Sequence, residues 1–218
     1  FSRTGNLEVT AVAFKNQPGA RDASLLNLAG DFTAEPDPTR RQNADPAIES
    51  ANLKSRGNEL LSKGKLDEAA DCYRQAISLN PRHAEAHLNL GFVLREQGLH
   101  DDAARSLRQA IQINPELEDA FYILGAIAEE QGNFQAAIEC LNKAIELNPA
   151  FEVAYRDLCR ALYRGGQYES AEKTIEKGMS LNPDNADFHY YLGNLRMHEK
   201  QFERAIACYE KALALRPD

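Results

Sequence analysis

The sequence predicts an all-α protein, a solenoid of tandem helix pairs preceded by an irregular N-terminal arm. Three observations carry that prediction. Prolines recur every 34 residues, at Pro81, Pro115, Pro149, Pro183 and Pro217, each closing a related segment: AISLNP, AIQINP, AIELNP, GMSLNP and ALALRP. Small residues keep the same period: Ala69, Ala103, Ala137, Ala171 and Ala205 in one series, and Gly57, Gly91, Gly125 and Gly193 in another, with Cys159 in the fourth place. Between these markers the apolar residues fall at helical spacing.

The arm comes first, residues 1–49. LEVTAVAF alternates enough for a short strand or extended segment. ASLLNLAGDF has the length of two helical turns, and AEPDPTRRQNADP is a proline- and charge-rich linker. Five repeats follow, at 50–83, 84–117, 118–151, 152–185 and 186–218. With Ser50 as position 1, the first helix of each repeat carries its buried stripe near positions 4, 7 and 11, as in Phe121, Leu124 and Ala128. Glycine at position 15 (Gly64, Gly98, Gly132, Gly166) stands where that helix must stop and turn, and Lys200 takes its place in the fifth repeat. The second helix carries Ala137, Leu141 and Ala144 at i, i+4 and i+7. It ends at Asn148-Pro149, because the residue before proline avoids the helical region. Small residues at positions 8 and 20 let the two helices of a pair approach closely, so bulk there would overpack them. Repeat four departs most, with Cys159 for glycine and Gly178 for alanine. Gly178 predicts a weaker helix and looser packing around it.

Composition narrows the function. The 218 residues carry a formal net charge of -8, which counts against a nucleic-acid partner. No run of about 18 apolar residues exists to insert in a membrane. Cys72, Cys140, Cys159 and Cys208 form no C-x-x-C pair and no zinc spacing, and the repeat places Cys72, Cys140 and Cys208 too far apart to pair with one another. Reduced thiols suit a cytoplasmic protein, and a signal sequence already removed is compatible with the same residues. His83 and His87 stand at i, i+4, but position 4 is a core slot elsewhere (Leu53, Phe121, Tyr155, His189), so a structural reading is favoured over a metal site. No nucleophile elbow, phosphate loop or dinucleotide fingerprint appears. The sequence predicts no enzyme active site, cofactor or metal.

The 34-residue period, the small residues at 8, 20 and 27, the aromatic or aliphatic residue at 24 and the proline at 32 closely resemble the tetratricopeptide repeat (TPR) family. The resemblance covers about three quarters of the chain. It implies a right-handed superhelix whose first helices line a concave groove for a peptide or partner segment, with groove positions 2, 5, 6, 9, 12 and 13. On this chain those positions offer Lys54, Asn58, Leu88, Asn89, Phe92, Tyr122, Ile123, Arg156, Arg160, Arg164, Tyr190, Tyr191 and Asn194 as contacts. Two features stand out. Leu88, Phe92, Tyr122 and Ile123 would form an apolar patch facing the groove. Arg156, Arg160 and Arg164, at i, i+4 and i+8, would form a stripe suited to acidic residues of a partner; the alternative is that Glu129 and Glu130 simply pair with that stripe at the surface. Chaperone-tail clamps of the family use a lysine and asparagines that Lys54, Asn58 and Asn89 match, but Asp119 and Ile123 replace their lysine and arginine.

The expected function is a protein-protein interaction scaffold. One alternative is the substrate-recruiting arm of a larger enzyme, such as a glycosyltransferase, whose catalytic domain lies beyond Asp218. That reading is motivated by the lack of a capping helix and of an initiator methionine. Another is a self-assembly module working through exposed terminal faces, or a co-chaperone.

Overall fold

The computed structural model describes residues 45–217. The strand, helical turns and most of the linker expected over residues 1–44 lie outside the described residues. Ten helices form the described part. They are α1 (Pro46–Ser62), α2 (Leu66–Leu79), α3 (Ala84–Glu96), α4 (His100–Ile113), α5 (Glu118–Glu130), α6 (Phe134–Leu147), α7 (Glu152–Arg164), α8 (Tyr168–Leu181), α9 (Ala186–His198) and α10 (Phe202–Leu215). No strand occurs among the described residues. The expected all-α solenoid of helix pairs is what forms.

The chain divides into two compact units at Pro81 and Arg82, the first of the proline seams. The described part of the first unit is the pair α1–α2. Its opening helix starts four residues before Ser50, where the linker was expected. Asp45 caps it by accepting a hydrogen bond from the Ala47 N–H at 2.9 Å, and Pro46 occupies the first turn, where no donor is needed. Ser50, fully buried, donates to the Ala76 carbonyl at 2.8 Å and ties the start of α1 to the end of α2.

The second unit holds the four pairs α3–α4, α5–α6, α7–α8 and α9–α10. In three of these pairs, all but α7–α8, the glycine of the first helix faces the side chain at position 24. A methyl group on Gly91 would stand 2.6 Å from Leu107, one on Gly125 2.8 Å from Leu141, and one on Gly193 2.5 Å from Tyr209. In the first unit Gly57 meets Tyr73 in the same way, at 2.5 Å. Position 8 is therefore small because position 24 is large. Each first helix ends at a residue with positive φ, from +72° to +77° at Gly64, Gly98, Gly132 and Gly166. Lys200 adopts the same turn at φ +61°, at a cost of roughly 1–2 kcal/mol for a residue with a Cβ.

The looser packing expected around Gly178 is not what the structure contains. Phe188, at position 3 of the fifth repeat, is fully buried with its ring against Gly178. In the second unit, the other repeats place alanine at position 3 (Ala86, Ala120, Ala154), and Ala110 and Ala144 hold the slot of Gly178. The glycine and the phenylalanine are one exchange of volume between two packed helices. Gly178→Ala should therefore destabilise the protein by about 1–2 kcal/mol. The overlap with Phe188 costs roughly 1–3 kcal/mol and outweighs the gain of about 1 kcal/mol in helix propensity. In urea titrations, adding Phe188→Ala to Gly178→Ala should cost clearly less than Phe188→Ala costs in the parent chain.

Candidate functional site

The first helices of the second unit, α3, α5, α7 and α9, contact one another directly as well as their own second helices. That direct contact decides what their inner positions can present. Phe92, Tyr122 and Ile123 are buried, and Leu88 is half-buried. The apolar patch expected in the groove is thus largely interior. The Tyr122 ring packs 5.1 Å from the Phe151 ring, and its hydroxyl donates to Asp157 Oδ2 on α7 at 2.9 Å. Positions 5, 6 and 9 of one first helix are covered by the next, so apolar side chains there become core.

The arginine stripe is also engaged. Arg160 forks onto Glu129, with Nε donating to Oε1 and Nη2 to Oε2, both at 2.6 Å. Its Nη1 lies 3.2 Å from Asp157. Arg156 donates to Asp157 Oδ1 at 3.0 Å and lies 4.0 Å from Asp187, and Arg164 donates to Glu129 Oε1 at 3.3 Å. The acceptors are deep, with Glu129 only 5% exposed and Asp157 3%. The pairing weighed from the sequence is therefore real, but it is interior rather than at the surface. Glu130 takes no part in it and instead accepts from Arg95 Nε at 3.1 Å. The expectation that the stripe stands open to an acidic partner is corrected for Arg156 and Arg160.

The electrostatics follow from this closure. Its hydrogen bonds to Glu129 hold the Arg160 guanidinium well above its ordinary range, against the opposing effect of burial. Burial, then the neighbouring Asp157 carboxylate, keeps the Tyr122 phenol protonated far past its usual pKa. Tyr191, beside Arg160, is pushed up to about 12 by burial. Arg164 is the outlying member, half exposed and stacked 4.6 Å over the Phe134 ring.

The asparagines of the expected site have internal duties. Asn58 accepts the Tyr73 hydroxyl at 2.8 Å, and Asn194 accepts the Tyr209 hydroxyl at 2.8 Å. Repeats with tyrosine at position 24 carry asparagine at position 9. Repeats with leucine or isoleucine there carry Phe92, Ala126 or Arg160. That pairing across 15 residues is legible in the sequence and is the signal that Asn58 and Asn194 are structural. Lys54 and Asn89 are half-buried.

Four family models cover the repeats. A TPR repeat model matches residues 57–98, and tetratricopeptide repeat models match 82–150, 128–189 and 186–218. The chain belongs to the tetratricopeptide repeat family. Solved TPR structures agree. A crystal structure of MamA is 28% identical over 73% of this chain and 93% of its own, with a TM-score of 0.69. YrrB, described as a TPR protein with an unusual peptide-binding site, is 24% identical over 83% of this chain and 91% of its own, with a TM-score of 0.70. MamA of Desulfovibrio magneticus RS-1 is 22% identical, covering 79% of this chain and 96% of its own, with a TM-score of 0.71. The last two likenesses speak to the fold alone.

In this TPR chain, the large apolar and aromatic first-helix side chains of the second unit that stay accessible include several in repeats four and five. Tyr190 and Met197 are exposed, and Tyr191 and Tyr163 are half-buried. The rings fall into two groups, Tyr190 with Tyr191 and Tyr209, and Tyr168 with Tyr163 and His198. Tyr190 lies 5.4 Å from Tyr191, Tyr163 lies 5.5 Å from Tyr168, and Tyr168 lies 3.9 Å from His198. Among the described residues no group of three metal-ligating side chains comes together, and no helix is long and apolar enough to cross a membrane.

Two outcomes test this electrostatic picture. Glu129→Ala should cost about 2–4 kcal/mol in urea unfolding, because it strands Arg160. The loss of one partner from a fully buried pair is about 3–5 kcal/mol, and partial exposure of Arg160 and Arg164 reduces it. Asp119, half-buried on α5, has its carboxyl raised to about 6 by burial and by Glu118. Its folded pKa exceeds the unfolded value, so the folded state loses stability as pH rises from about 4 to 6. Asp119→Asn should therefore stabilise the protein at pH 7 by about 1–2 kcal/mol and leave it unchanged near pH 3. The magnitude stays below the full linkage value because the N-terminal dipole of α5 favours the carboxylate.

Proposed function

We propose that this TPR chain is a non-catalytic scaffold that holds a segment of a protein partner along the first helices of repeats four and five. The observation that carries this reading is the exposure of Tyr190 and Met197 on α9, with half-buried Tyr191 on the same helix and half-buried Tyr163 and half-exposed Arg164 on α7. Exposed apolar groups in contiguous arrangement mark interaction sites more often than scattered ones do. Tyrosine supplies contact area at small entropic cost and a hydroxyl for a partner's backbone.

Of the three arginines, Arg164 is the most exposed counter-charge for an acidic residue of the partner, while it also donates to Glu129. Binding at Arg156 or Arg160 would require displacing buried Asp157 or Glu129, which leaves a carboxylate without its partner. The favoured ligand is therefore a tyrosine-compatible, largely apolar segment with a single acidic residue. Membership of the tetratricopeptide repeat family supports a protein partner rather than a small-molecule substrate.

A display screen of peptides against the full chain tests the proposal. The selected peptide should bind at least about tenfold more weakly to Tyr190→Ala and to Arg164→Gln, with circular dichroism checking that both variants remain folded. Unchanged affinity for both variants would show that the ligand sits elsewhere.

A further inference from the structure

Position 2 of the first helix is an aspartate in two repeats of the second unit, Asp119 on α5 and Asp187 on α9. At Asp187 the carboxylate is met by two arginines. Arg216 donates to Oδ1 at 2.5 Å, and Arg156 Nη1 lies 4.0 Å from Oδ2. One cation comes from position 31 of the same repeat, the other from position 5 of the repeat before.

At Asp119 both of those places hold other residues. Position 31 is Asn148, whose amide donates to Glu118 Oε1 at 3.4 Å. Position 5 of the repeat before is Leu88, half-buried. Asp119 makes no hydrogen bond or ion pair among the described residues. The charge beside it is Glu118, of its own sign, and burial and that charge raise its carboxyl to about 6. Repeat three has the acid without the cations.

A half-buried carboxylate with no counter-charge weakens the fold that carries it. Repeat five shows what completes such a position, a guanidinium at hydrogen-bond distance. An arginine suits Asp119 for two further reasons. Its fork engages both carboxylate oxygens. Its stem can lie along Leu88, which stands where Arg156 stands in repeat four. A metal ion would lack ligands, because Glu118 is engaged by Asn148 and no group of three metal-ligating side chains forms among the described residues.

We propose that Asp119 receives the guanidinium of an arginine carried by a bound protein segment, in the place that Arg156 and Arg216 fill at Asp187. Asp119 belongs to repeat three, and the contact does not rest on the tyrosine site of repeats four and five.

The probe is N-acetyl-argininamide, titrated into the full-length chain while NMR follows the Asp119 carboxyl and the Leu88 methyls. Both signals should move saturably, and the carboxyl should titrate at lower pH when the probe is present, because a cation favours the ionised form. Affinity should fall about tenfold from pH 7 to pH 5 as the carboxyl takes up its proton. Asp119→Asn should weaken binding at least about tenfold, and the neutral citrulline analogue of the probe should not bind. Tyr190→Ala should leave binding within about twofold. Leu88→Arg, which copies Arg156 into repeat two, should lower the titration of Asp119 and exclude the probe, with circular dichroism checking that the variant remains folded. The proposal is overturned if neither signal moves saturably, if Asp119→Asn binds the probe equally, or if the citrulline analogue binds as well. Loss of binding in Tyr190→Ala would also overturn it, since the guanidinium would then sit on the tyrosines. So would a folded Leu88→Arg variant in which Asp119 titrates as in the parent chain.

Discussion

Everything in this structure depends on how closely two helices of one pair can approach. That distance is set where a glycine backbone lies under the side chain at position 24, Leu107 over Gly91 and Leu141 over Gly125. Bare backbone on one helix and a branched or aromatic side chain on the other give an interlocked contact without a void. Within the second unit, pairs closed in this way stack on one another through direct contacts of their first helices. Repeat four meets the constraint differently, with Cys159 against Ile175, a slightly larger residue facing a shorter one. Burial there pushes the Cys159 thiol well above its ordinary pKa, so it behaves as a small apolar group and not as a nucleophile.

The close approach has a second effect, on charge. First helices that touch leave little room for water between their inner positions, so polar residues there must satisfy one another. Glu129, Asp157 and the three arginines do so across α5 and α7, and Asp187 extends the set to α9 through Arg156 and Arg216. Buried charge of this kind adds little net stability compared with apolar packing, but it punishes misregister severely. Its value here is in fixing which residue of one helix faces which residue of the next.

Much of this was legible in the sequence. The period, the turns and the seams follow from proline, glycine and alanine, residues whose backbone behaviour hardly depends on surroundings. Gly98 and Gly132 announce their positive φ by being glycine at the end of a helix. What could not be read was the accessibility of positions 5, 6 and 9, because that depends on the distance between successive first helices. Tyr122 is the example: its slot suggested an exposed contact, and the approach of α7 turned it into a buried donor to Asp157. Gly178 misled for a related reason. Its own helix read as weakened, and the compensation sits in the next repeat, at Phe188. The tyrosine-asparagine pairing of positions 24 and 9 was present in the letters, 15 residues apart, and shows that long-range partners are recoverable when a repeat supplies its own internal comparison.

The exchange of volume between Gly178 and Phe188 bears on how such a chain can evolve. Tandem repeats invite duplication and loss through unequal recombination, and a solenoid of identical seams would tolerate either. This seam is keyed. A repeat brought in behind α8 with alanine at its third position would leave a hole the size of a benzene ring, and the fifth repeat moved behind any alanine-bearing helix would collide with it. Separating the fourth repeat from the fifth would therefore carry a packing penalty that a seam of alanine against alanine does not.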